Sequence, residues 1–307
     1  MSATLHSIQT NVSPLPERIL QRLEWQVIRR LDGILQGDYR SLFYGHGIDF
    51  TDLREYQDQD DIRHVDWNVT ARMNALHVRQ YVEDRDITAW FLLDLSPSMN
   101  FGPVDRSKET VLIDMVTTLA RLLTRNGNRV GAILYNHKIK CTIPPHTGRD
   151  QVLRLTFELL RESNEPLKMM TDLKVLLKAG LNSIKRRSLV FLISDFISEP
   201  GWTQHMSLLN RRHELIAIRL WDARESEMPD AGLIVVEDSE TGEQLFVDTS
   251  NPEFRRRFFI TAEEREEALK ENLKRAGADL YSITTEEDLV TAILRIATLR
   301  KKSRAFL

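Results

Sequence analysis

Three short stretches of this 307-residue chain place hard oxygen donors next to apolar runs. Asp94, Ser96 and Ser98 follow FLL in the segment DLSPS, and Asp195 follows LVFLIS. Thr171, with Asp172, stands just before the amphipathic segment that leads into that second run. Residues i, i+2 and i+4 of an extended segment point to one side, so Asp94, Ser96 and Ser98 can converge as a strand breaks into a loop. Pro97 helps to end the strand. Two carboxylates and three hydroxyls suit Mg2+ or Mn2+, which favour octahedral oxygen coordination and keep some water; Ca2+ accepts the same donors and ranks behind them. With few protein groups binding directly, one position stays open to an outside ligand, such as an acidic side chain of a partner. Each residue also has a plainer reading. DLSPS has the composition of a turn, Thr171 suits a helix N-cap with Asp172 in the first turn, and Asp195 can be a solvated strand end.

Positioning such residues needs an architecture that collects strand ends. ITAWFLLD, RVGAILY, RSLVFLISDF and HELIAIRLWD are short, nearly continuous apolar runs, the texture of strands buried on both faces of a parallel sheet. Helical segments alternate with them. One carries Leu112, Met115, Val116, Leu119, Leu122 and Leu123 on one face and stops near Asn126-Gly127. Further helices are expected at about 149–162, 172–185, 202–211, 261–276 and 285–300. KIKCTI is expected to pair with RVGAILY after a turn at Asn136-His137, and ADLYSI supplies another strand. The predicted class is α/β, a mostly parallel sheet with helices on both faces, in which ligands bind beyond the carboxyl ends of the strands.

Outside that body, residues 1–16 read as a loose polar arm. Ile19, Leu23, Val27 and Leu31 mark a helix from Pro16 to about Leu35. The stretch 39–85 is rich in Asp, Arg, Gly and aromatics without a sustained period, so short strands and turns are expected. The domain boundaries are therefore 1–16, 17–85 (helix plus irregular segment) and 86–307, with a hairpin insertion near 232–248. Arg54, Glu55, Tyr56, Asp60, Asp61, Arg63, Asp66, Trp67 and Arg72 read as a web of ion pairs pinning the irregular segment, with Tyr56 and Trp67 as packing anchors.

Composition removes several classes of function. Acids outnumber bases 45 to 42, so the net charge of −3 gives no global attraction to nucleic acid. The single cysteine, Cys141, excludes an internal disulfide framework and a cysteine-rich zinc site, fits a reducing cytoplasm, and reads as a buried small residue. The eight histidines show no zinc-ligand spacing. No apolar run approaches the ~18 residues of a membrane span. Arg18 is the first basic residue, so no charged leader is expected. Phosphate-binding glycine loops are missing, and nucleotide binding is not expected. The basic run Arg300, Lys301, Lys302, Ser303, Arg304 reads as a solvated helix end.

DLSPS, the downstream Thr171 and Asp195 in LISDF resemble the metal-ion-dependent adhesion site of von Willebrand factor A domains, over roughly 87–300. The upstream segment GHGIDFTDLREYQDQDDIRHVDWNVTAR, followed by the strand and DLSPSMNFG, is similar to the bacterial domain-of-unknown-function 58 family. The resemblance implies a Rossmann-like von Willebrand factor A domain over 86–307. It implies a metal site at Asp94, Ser96, Ser98, Thr171 and Asp195. It also implies an adaptor that accompanies a MoxR-type AAA+ ATPase in chaperone-like or maturation work. Many members carry transmembrane helices, and here no such segment is read. Met169 and Met170 stand before Thr171 where related sequences often place Gly.

The expected function is thus a divalent-metal-dependent protein-binding adaptor and not an enzyme. One alternative is a Mg-dependent phosphotransferase or hydrolase using Asp94 as nucleophile. Against it, Ser96 stands where a second acid is usual, and no motif positions a lysine for the phosphate. The other is a scaffold in which the metal site is vestigial and 39–85 supplies the contact.

Overall fold

The computed structural model describes residues 15–35, 53–57, 62, 65, 67–73, 75–79, 87–103, 105–161, 170–239 and 241–305. These fall into two compact units, one within 1–36 and 87–296, the other within 37–86 and 297–307.

The first unit opens with a helical run: α1 (Pro16–Leu23), a π-helical turn (Glu24–Ile28) and α2 (Arg29–Leu35). Its buried stripe is Ile19, Leu20, Leu23, Val27, Ile28 and Leu31. Six strands of this unit form one sheet: β3 (Thr88–Asp94), β4 (Arg129–Tyr135), β5 (Ile139–His146), β6 (Leu189–Ser194), β7 (Glu214–Trp221) and β10 (Leu280–Thr284). Their order across the sheet is β10-β7-β6-β3-β4-β5. All neighbouring pairs are parallel except β4 with β5, which pair antiparallel through the turn at Asn136-His137 as expected. The central strands β3 and β6 are buried almost throughout, which is why they read as unbroken apolar runs.

Both faces of the sheet are covered by helices, as predicted. On one face Trp90, Leu92, Val190, Leu192 and Ala217 pack against Leu173, Leu176 and Leu177, Met206 and Leu209, and Leu269 and Leu273. Those partners come from α6 (Leu173–Ser183), α7 (Thr203–Arg212) and α8 (Pro252–Ala276). On the other face Phe91 stacks on Phe191, centroids 5.0 Å apart. Helices α4 (Lys108–Arg125) and α5 (Arg149–Leu160) meet through a Thr117–Thr156 hydroxyl pair at 3.0 Å. The helix α4 stops at Asn126, followed by Gly127 at φ 83°, so the stop signal in the sequence holds.

Two helix starts differ clearly from expectation. α8 begins at Pro252, nine residues before the predicted start at 261. Asn251 caps it by accepting from the N–H groups of Glu253 and Phe254, and Pro252 occupies the first position. α9 (Leu289–Ala305) starts later than predicted, because the Asp288 carboxylate receives the Thr291 N–H at 3.1 Å. The hairpin near 232–248 is a separate two-stranded antiparallel sheet of β8 (Leu233–Glu237) and β9 (Gln244–Asp248). Cys141 lies on β5 and is half-buried, less enclosed than its apolar surroundings in sequence suggested.

In the second unit β1 (Leu53–Glu55) pairs antiparallel with β2 (His77–Arg79), and α3 (Trp67–Met73) forms where only strands and turns were expected. Trp67 is 63% exposed, so it is not the packing anchor its size suggested. The arm at 1–14, most of 39–85 including Asp60, Asp61, Arg63 and Asp66, and Met169 lie outside the described residues. The side chains of Lys301, Lys302, Ser303 and Arg304 also lie outside them.

Candidate functional site

Asp94 is the last residue of β3, and Asp195 directly follows β6, the strand paired with it. Register therefore puts both carboxylates at one sheet edge without any help from the loops. Ser96 and Ser98 come next: Ser96 precedes a 3-10 turn (Pro97–Asn100), and the two hydroxyls lie 3.1 Å apart. Gly102, at φ 136°, turns the chain back towards α4. A Cβ there would stand 3.0 Å from the Ser107 Cα, so the return path needs glycine.

Asp94 is wholly buried and held from two sides. Its Oδ1 accepts the Ser96 N–H at 3.0 Å and its Oδ2 accepts the Ser194 hydroxyl at 2.6 Å. Ser194 Oγ in turn accepts the Phe196 N–H at 2.9 Å, which ties Asp94 to the Asp195 loop. Phe196 sits at φ 61°, a left-handed conformation rare for an aromatic, and its ring lies tilted against Trp202 at 5.7 Å. That turn lets Asp195 Oδ1 accept the Ile197 N–H at 3.0 Å. Burial, and then the neighbouring Asp195 charge, push the Asp94 carboxyl up to about 7 from an ordinary 3.8, against the pull of its hydrogen bonds. Among the described residues no ion pair reaches Asp94.

Thr171 joins through its loop. Its carbonyl accepts the Glu199 N–H at 2.8 Å, and the Leu173 N–H donates to Ser198 Oγ at 3.0 Å, so the Thr171 and Asp195 loops are laced together. Thr171 is not the cap of α6; Asp172 is, accepting the Lys174 N–H at 2.9 Å. Tyr135, buried at the end of β4, joins two loops: its carbonyl accepts the Leu95 N–H and its hydroxyl accepts the Asp172 N–H at 2.8 Å. Thus Asp94, Ser96, Ser98, Thr171 and Asp195 all sit at the carboxyl edge of the sheet, each no more than 5% exposed.

Sequence reasoning missed an ammonium at this edge. Lys108 Nζ donates to Asp195 Oδ2 at 2.8 Å and also pairs with Glu225, and its side chain is fully buried. Burial would lower its pKa, but the two carboxylates outweigh burial and raise it. Glu225 is raised by burial in spite of Lys108. It stands in a 3-10 turn capped by Asp222, directly after β7. A search after every apolar run would have found Asp222, and Glu225 one turn beyond; nothing in the local sequence marks Lys108.

The donor set fits a hard divalent cation. It holds two carboxylates and three hydroxyls, and the charge on Asp94 is costly as it stands. No group of three or more His, Cys, Asp or Glu among the described residues is arranged for a metal, so the hydroxyls are essential to such a site.

A strand-end cluster on a mostly parallel sheet covered by helices on both faces defines an open-sheet α/β domain. The chain belongs to the family described as protein of unknown function DUF58, which it matches over residues 52–268. An uncharacterized protein of Mycobacterium tuberculosis strain H37Rv is 32% identical over 92% of this chain and 89% of its own length, and one from Mycobacterium bovis matches equally. Neither the family nor these relatives indicate a catalytic class. Among solved structures, an aerotolerance-related membrane protein from Bacteroides fragilis is similar at 14% identity and a TM-score of 0.48, covering 71% of this chain and 99% of that one. BatB from Bacteroides thetaiotaomicron gives 14% and 0.48, covering 72% and 100%. Among the described residues no helix is long and apolar enough to cross a membrane.

Proposed function

We propose that this protein is a divalent-metal-dependent protein-binding module. It would hold Mg2+ or Mn2+ through Asp94, Ser96, Ser98, Thr171 and Asp195, directly or through water, and bridge the ion to an acidic side chain of a partner. No bond is broken. The observation that carries the reading is Asp94: a fully buried carboxylate, short of positive charge, at the same sheet edge as three buried hydroxyls. The loops around it supply a contact surface, since Phe101, Ile197 and Met170 on those loops are each at least 43% exposed. The family resemblance points to a MoxR-type AAA+ ATPase, or its client, as the partner.

The test is capture of that ATPase by the full chain in Mg2+ and in EDTA, with wild type and Asp94→Ala. Capture should need the ion and should vanish in Asp94→Ala while its circular dichroism stays that of wild type. Equal capture in EDTA rejects the ion bridge. Lys108 reopens the phosphoryl-transfer reading, because it is the buried lysine that reading lacked. Its Nζ, however, is engaged by Asp195 and Glu225, and Asp94, half protonated near neutrality, is a poor nucleophile as it stands. Metal-dependent phosphatase turnover that disappears in Asp94→Asn would favour that alternative.

A further inference from the structure

We propose that Lys108 is the built-in counter-cation of this site, holding Asp195 and Glu225 when no divalent ion is bound and so setting how tightly such an ion is held. The inference rests on the metal-binding reading above.

Lys108 occupies an unfavourable place for a cation. It is the first residue of α4, directly after the N-cap Ser107, where the helix dipole presents its positive end. It is also 0% exposed, which removes its ammonium from water. Both costs are offset by the two carboxylates it touches, Asp195 and Glu225. Its backbone is fixed as well, the N–H donating to the Phe101 carbonyl at 3.0 Å. Its two partners are both carboxylates, and the first is the residue that would face a bound ion.

The charges close around that arrangement. When ionised, Asp94, Asp195 and Glu225 carry three negative charges against the single charge of Lys108. Arg219, nearby, is itself paired with Glu266. The surplus of two matches one divalent cation. Removing the ammonium should leave a more attractive and less stable empty site; removing Glu225 should leave the lysine to Asp195 alone and make the site less attractive. A packing or anchoring role would not move metal affinity in opposite directions.

The experiment is calorimetric titration of the full chain with MnCl2, together with the Mn2+-induced shift in melting temperature, for wild type, Lys108→Met and Glu225→Gln. Lys108→Met should melt lower in EDTA, bind Mn2+ at least about tenfold more tightly than wild type and show the larger shift. Glu225→Gln should bind more weakly than wild type. If wild type binds Mn2+ and Lys108→Met binds no better, the counter-cation role is overturned while the metal site stands. If neither wild type nor either variant binds, the metal reading falls and this inference with it. Binding by Lys108→Met alone supports the role. Should Lys108→Met fail to fold, Glu225→Gln decides: weaker binding supports the role, and unchanged or tighter binding overturns it.

Discussion

Asp94 carries a cost that can be read in the pH dependence of stability. With its folded value at about 7 against 3.8, the folded chain without metal keeps a proton that the unfolded chain has released, between about pH 4 and pH 7. Stability in EDTA therefore falls as pH rises through that window and levels off above it. Each tenfold change in proton affinity is worth about 1.4 kcal/mol, so the loss is at most about 4 kcal/mol. Asp94→Asn removes the charge and keeps the shape. Urea unfolding in EDTA should show the variant more stable than wild type by about 2 kcal/mol at pH 8 and equal to it near pH 4. Saturating Mn2+ should reverse the order at pH 8. A difference between the two proteins that is flat with pH would refute this account. At this scale the strand-end residues are legible in the sequence, because oxygen donors after apolar runs stand out. Lys108 and Ser194 are not. Each acts through a partner far away in the chain, 87 residues from Lys108 to Asp195 and 100 from Asp94 to Ser194, and no local pattern encodes such a pairing.

The elements hold the site by linking loops to strands. Tyr135 ends β4, and its hydroxyl receives the Asp172 N–H that fixes the residue next to Thr171. In the sequence it is only the last letter of RVGAILY, an apolar strand end. Tyr135→Phe keeps the ring in the core and leaves the Asp172 N–H without that acceptor. The expected loss is about 1–2 kcal/mol in urea unfolding, together with weaker Mn2+ binding in calorimetry, because the Thr171 loop is released. Lost stability with unchanged Mn2+ affinity would show that the Thr171 loop does not contribute to the site. The same logic explains which boundaries are readable. Asn126-Gly127 ends α4 as its residue types dictate. For α8, the charged run from 261 is more conspicuous than the Asn251-Pro252 cap that actually begins the helix.

In the first unit as a whole, the helical run over 16–35 lies along α4, whose first residue is Lys108. Its apolar residues recur at strict four-residue steps, Ile19, Leu23, Val27, Leu31. At 3.6 residues per turn such a stripe drifts by about 40° each step, and the π-helical turn Glu24–Ile28 offsets the drift by fitting more residues into one turn. Around the stripe run the ion pairs Arg121–Glu24 at 2.8 Å and Arg125–Asp32 at 2.9 Å, with Arg22–Asp114 beside them. The apolar residues and the ion pairs make different contributions. Leu20 is 0% exposed, so Leu20→Ala should cost about 2–5 kcal/mol through lost burial and a residual cavity. Arg125 and Asp32 keep 55% and 32% of their side-chain exposure, so Asp32→Ala should cost less than about 1 kcal/mol. Urea midpoints of the two variants give the ranking, and raising the salt concentration should narrow the Asp32 effect while leaving that of Leu20 unchanged. If Asp32→Ala proved as damaging as Leu20→Ala, the run would be held by charge instead of burial, and the placement of Lys108 would depend on ionic strength.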